Sequence, residues 1–217
     1  QENDKVKQSI LNLRKQTIKV IPIEKLPNYI NEEKEQSIQE LYLNRLAEKI
    51  NNMKNQNKID WFIQFRGKIN KDSLLQIFNT TMAEIITDDE KIRLTLTLQG
   101  YIPDENISNF LYKTILDVNR KIVSIIKKLN KELLLSLFNL FIENNNEKII
   151  WDYQQELEET NLDMFIERLI KKQTDTMALK DCIKNLEKNL KDKDRFFYYL
   201  INLTFNSNNN LTQDDLL

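Results

Sequence analysis

The chain has 217 residues, 41% of them apolar and 9% aromatic, with 32 basic and 33 acidic side chains and a formal net charge of −1. Two glycines, three prolines and no histidine leave it almost without the residues from which turns, phosphate-binding loops and most acid–base sites are built. This excludes glycine-rich nucleotide cradles and histidine-activated nucleophiles, and the balanced charge provides no global field toward nucleic acid or an anionic membrane.

So few helix breakers predict an all-α chain. The single cysteine, Cys182, forbids an internal disulfide, and without histidine it leaves no zinc ligand set, so neither a metal nor a cofactor is expected. The densest apolar run, Leu133 to Ile142, contains Ser136 and Asn139 and falls short of the roughly 18 residues of a membrane span. A soluble cytoplasmic or nuclear protein is expected, and the sequons at Asn79, Asn106, Asn202 and Asn210 are read as accidents of an Asn- and Thr-rich composition.

Val6, Ile10 and Leu13 recur at helical spacing and begin a helix that runs to about Val20. Pro22 and Pro27 bound an extended connector, since the residue before proline is pushed out of the helical region. A second helix, about 30 to 55, carries Ile38, Leu41, Tyr42, Leu46, Ile50 and Met53 on one stripe. Asp60 is expected to cap a short aromatic helix with Trp61, Phe62 and Phe65, closed by Gly67, and Asn70 or Asp72 to cap the next, which buries Leu74, Ile77, Phe78 and Met82.

Thr87-Asp88-Asp89-Glu90 reads as a capping box, with Gly100 at the matching C-terminal end, yet Ile92, Leu94, Leu96 and Leu98 alternate as in a strand. Helix is favoured, with a minor β element at 17–23 and 92–98 as the alternative. Pro103 opens a long helix to Leu129, Asn130 breaks it, and the segment from Leu133 to Ile142 is apolar on nearly all sides and central. Asn144 to Asn146 turns the chain, a helix covers 147–158, and Thr160 with Asp163 caps the following one. Thr174 or Asp175 starts a helix whose apolar face holds Met177, Cys182, Ile183 and Leu186, and Asp194 precedes the aromatic run from Phe196 to Phe205.

The domain reading is an N-terminal helix and connector (1–25), a helical domain (26–205), and a tail or linker (206–217) whose last residues resemble the start of another helix, as in a piece of a longer chain. So many helices joined by short turns predict an irregular stack of antiparallel hairpins, α-solenoid or HEAT-like, or a multi-helix bundle. No repeat period is present in residue identity, so the solenoid comparison is one of architecture alone.

Charge is unevenly distributed. Lys113, Arg120, Lys121, Lys127, Lys128 and Lys131 oppose only Asp117 over 113–131, whereas 143–163 carries Glu143, Glu147, Asp152, Glu156, Glu158, Glu159 and Asp163 against Lys148. The two stretches either attract one another or offer docking surfaces of opposite sign. Lys180, Lys184, Lys188 and Lys191 form a second basic row, interrupted by Asp181 and Glu187. Phe196-Phe197-Tyr198-Tyr199 has too many rings for one buried helix face, so some are expected to face a partner. Arg66, beside Gly67, raises the further reading of an arginine offered to a GTPase.

The functional expectation is a non-catalytic protein–protein interaction module or scaffold subunit of a larger complex. Its candidate contact residues are Lys121, Lys127, Lys128, Lys180, Lys184, Lys188, Phe197, Tyr198 and Arg66. The alternatives are a nucleic-acid-associated domain using the lysine rows, and a helical regulator of a GTPase.

Overall fold

A computed structural model describes residues 2–85, 87–118, 121–173 and 175–206. They form thirteen α-helices and one short 3₁₀ turn, with no strand among the described residues. Both segments that alternation put forward as β are helix or turn. At 92–97 the acidic first turn and the Thr87 cap set a helix, and the alternating leucines are accommodated because Ile92, Leu94 and Leu98 are all buried within it and its C-terminal turn. The backbone contacts divide the chain into two compact units, residues 1–114 with 128–130, and residues 115–127 with 131–217.

The first unit begins with α1 (Glu2–Val20), α2 (Leu26–Glu32) and α3 (Gln36–Asn51). The connector between the prolines is a turn, not extended chain: the Lys25 amide donates to the Pro22 carbonyl (3.1 Å), and Pro27 sits in the first turn of α2, where its missing N–H costs nothing. The single helix expected over 30–55 is broken at 33–35. The Glu33 carboxylate accepts from the Lys34 and Glu35 amides (both 3.0 Å), giving these donors a partner outside the helical ladder.

Next come α4 (Asn55–Phe65), a 3₁₀ turn (Arg66–Lys68), α5 (Lys71–Glu84), α6 (Asp88–Thr97) and the first part of α7 (Asp104–Asp117). Asp60 is not a cap. The helix starts at Asn55, and Asp60 accepts from Gln56 one turn earlier (2.8 Å). Gly67 lies in the 3₁₀ turn, whereas Gly100 takes φ +78° as the turn after α6 requires. Asn70 caps α5 through the Ser73 amide (2.9 Å). Thr87 caps α6 through the Glu90 amide (3.4 Å), its hydroxyl donating to the Glu90 carboxylate (2.7 Å).

In this unit α3 packs on α1, α2, α4 and α5, and α4 packs on α6. Asn55 at the start of α4 donates to Glu90 at the start of α6 (2.8 Å), and Arg66 at the end of α4 donates to the Thr97 carbonyl at the end of α6. The two helices therefore run parallel with α5 between them in the chain, the arrangement of stacked hairpins. Gln99 donates to the Lys128 carbonyl (3.0 Å) and accepts from the Asn130 amide (3.2 Å).

The second unit contains α8 (Ile122–Ile126), α9 (Lys131–Glu143), α10 (Lys148–Asp152), α11 (Glu159–Lys171), α12 (Thr176–Asn189) and α13 (Lys193–Asn206). The single helix expected from Pro103 to Leu129 is instead α7 and α8, which keep one apolar pattern across a break. α9 buries Leu133, Leu134, Leu137, Phe138, Phe141 and Ile142, and packs on α11. Phe165 meets Phe138 (centroids 5.3 Å apart) and Trp151 (5.1 Å) edge to face, the preferred arrangement of ring quadrupoles.

Asn145 takes φ 55° in the turn after α9. The helix expected over 147–158 is only the short α10 followed by turns, and α11 begins at Glu159, so Thr160 is inside it and is not its cap. Asp175 caps α12 through the Ala178 amide (2.8 Å), and Asp192 accepts from the Arg195 amide at the start of α13 (3.0 Å). Met177 is exposed and does not share the buried face of Cys182, Ile183 and Leu186. Thr174, Arg120 and residues 207–217 of the expected tail lie outside the described residues.

Candidate functional site

The aromatic run resolves into two faces of α13. Phe196 and Tyr199, one turn apart, are buried, while Phe197, Tyr198 and Ile201 are 55%, 63% and 54% exposed. Polar contacts to α11 orient the helix. The Tyr199 hydroxyl donates to the Asp163 carboxylate (2.7 Å), and Arg195 pairs with Asp163 and Glu159 (both 3.3 Å). Burial, reinforced by the hydrogen bond to Asp163, drives the Tyr199 phenol well above its usual range, so it remains a neutral donor.

Beside the exposed rings lies a groove of about 370 Å³ lined by Glu167, Ile170, Lys171, Tyr198, Tyr199, Asn202 and Leu203. The residues leading into α13 are also fixed. Buried Gln154 donates to the Asn189 carbonyl (2.9 Å) and accepts from the Lys191 amide (3.0 Å). Sequence reasoning found Phe197 and Tyr198 but missed Ile201, which follows Phe197 by one turn and was legible from that spacing. It also missed the Asp163 and Gln154 braces, for which sequence carries no signal.

A second hollow, of about 410 Å³, is floored by Ile142, Leu169 and Cys182 and rimmed by Glu147, Lys172, Asp181 and Asn185. The Cys182 thiol is pushed up from 9.0 to about 12 by burial, with Glu147 adding to the effect. It is protonated at neutral pH and so is a poor nucleophile. Among the described residues no cluster of three His, Cys, Asp or Glu side chains could hold a metal ion. No helix among them is long and apolar enough to cross a membrane.

The other candidate residues are dispersed. Arg66 stacks over the Tyr101 ring (4.5 Å) while donating to Thr97, so its guanidinium serves an internal contact. Lys121 and Lys127 belong to the second unit, and Lys128 to the first. Lys184 and Lys188 are exposed on α12 and Lys180 is half-buried, but Glu187 falls on the same helix face and dilutes the basic row. Within the acidic stretch, Glu159 and Asp163 pair with Arg195 of α13. Comparison with protein-family models, with curated proteins and with solved structures found no match.

Proposed function

We propose that this chain is a non-catalytic helical interaction module, and that the outer face of α13 is its docking surface for another protein. The observation carrying this reading is the exposed cluster Phe197, Tyr198 and Ile201, held on a helix whose opposite face is locked by Tyr199 and Arg195. Rigid aromatic anchors lose little conformational freedom on binding and dominate the energetics of protein interfaces. The neighbouring groove provides a concave site into which a partner side chain fits.

The test is the triple variant Phe197→Ser, Tyr198→Ser, Ile201→Ser. Its far-UV circular dichroism and thermal midpoint should match the parent, because all three side chains face water. Co-purification of protein partners from the native source, after nuclease treatment, should be lost. Retained partners would move the docking surface elsewhere, and loss of all bound material on nuclease treatment alone would favour the lysine rows as a nucleic-acid surface.

A further inference from the structure

The hollow over Cys182 in the second unit is built from four elements. Ile142 lies in the last turn of α9, Glu147 precedes α10, Leu169 and Lys172 lie at the end of α11, and Asp181 and Cys182 are neighbours on α12. Its floor of Ile142, Leu169 and Cys182 is buried and apolar, and its volume of about 410 Å³ is that of a small-molecule site. The Cys182 thiol reaches this floor only 6% exposed and, among the described residues, without a hydrogen-bond partner.

The rim carries charge that the protein itself leaves unpaired. Glu147 and Asp181 are negative and Lys172 positive, and among the described residues none of the three forms an ion pair, with one another or elsewhere. Burial, and after it Glu147, raise the Cys182 thiol, which puts that carboxylate within electrostatic reach of the floor. The backbone adds to the negative field. α9 and α11, each 13 residues long, both end at the hollow with the negative pole of the helix dipole, whereas the N-terminus of α12 is already capped by Asp175.

A ligand that matches this arrangement has two cationic groups for Glu147 and Asp181, one anionic group for Lys172, and an aliphatic stem for the floor. We propose that the hollow binds a free basic amino acid, lysine or arginine, with its α-ammonium and side-chain cation on the two carboxylates, its α-carboxylate on Lys172, and its methylenes over Ile142, Leu169 and Cys182. This goes beyond docking through α13 and uses none of its residues.

The test is isothermal titration of the full chain with L-lysine, L-arginine and analogues that each lack one group. Lysine and arginine should bind once per chain. L-norleucine, without the side-chain ammonium, and cadaverine, without the carboxylate, should each bind about tenfold or more weakly, the effect of one charge-assisted hydrogen bond. Glu147→Gln and Asp181→Asn should each weaken lysine by a similar factor, with the thermal midpoint of the unliganded chain retained. Lys172→Met should weaken lysine and leave cadaverine no weaker, bringing the two probes together.

No binding of either amino acid, norleucine binding as tightly as lysine, or lysine affinity unchanged in both carboxylate variants overturns the inference. So does Nα-acetyl-L-lysine amide binding as tightly as lysine, which would give the hollow to a lysine side chain of another protein instead.

Discussion

Both units bury contacting rings, Trp61 with Phe62 and Phe65 in the first, but they place their polar contacts differently. In the first, parallel helices α4 and α6 are tied along their length by polar side chains, Asn55 to Glu90, Arg93 to Gln56 (2.9 Å) and Arg66 to Thr97. In the second, Phe138 of α9, a helix that buries six large apolar side chains, meets the ring of Phe165, which in turn meets Trp151. The lesson is about concentration of free energy. Cross-bracing spreads stability over many terms of about 1 kcal/mol each, while a ring-centred core places several kcal/mol on single side chains.

The largest effect that would break this contrast is expected at Phe165. Phe165→Ala should cost about 3–5 kcal/mol in urea unfolding, and amide exchange in α9 and α11 should accelerate far more than in α3 and α5. A loss below about 1 kcal/mol, within the ordinary range for any substitution, would show that the ring cluster is not the centre of its unit.

An intermediate effect sharpens the other side of the contrast. Arg66→Ala should cost about 1–2 kcal/mol, the sum of a lost ring contact and a hydrogen bond. Arg66→Lys should not restore it, because an ammonium lacks the planar face that lies over Tyr101. Full rescue by lysine, measured by thermal midpoint, would reduce the brace to a simple charge.

The smallest expected effect is alkaline. In the second unit the folded state holds the Cys182 proton up to about 12 against an ordinary 9.0, and holds the Tyr199 proton above its usual range as well. The unfolded chain releases both first, so stability is full below pH about 9 and falls as pH rises above it. Tyr42 of the first unit, raised chiefly by burial, acts in the same direction there. Exchange protection in α11 to α13 should therefore decline above that pH, and Cys182→Ala with Tyr199→Phe should flatten the decline. At neutral pH the native thiol should resist alkylation that an unfolded chain accepts at once.

Much of the fold was legible in local chemistry. Asn70, Thr87 and Asp175 cap helices as their side chains dictate, Gly100 takes the left-handed turn position, and Leu133 to Ile142 is a helix with a broad buried face. The helix breaks were not legible. Apolar periodicity continues from α2 into α3 and from α7 into α8, because both halves of each pair bury their faces, so pattern alone shows no interruption. Only the Glu33 carboxylate, turned back on its own backbone, marks the first break.

The candidate surface divides in the same way. That Phe196 to Tyr199 exceeds what one helix face buries follows from counting rings on a helix of 3.6 residues per turn. Which two face outward does not follow, since it depends on Asp163 and Glu159 of α11 gripping Tyr199 and Arg195. The helical class, most caps and the turn glycine were set by the sequence itself, because they depend on backbone propensity and side chains within a few residues. Which face of α13 meets water was decided by tertiary structure, because that outcome rests on contacts between Arg195 and Tyr199 and the residues Glu159 and Asp163, tens of positions earlier in the chain.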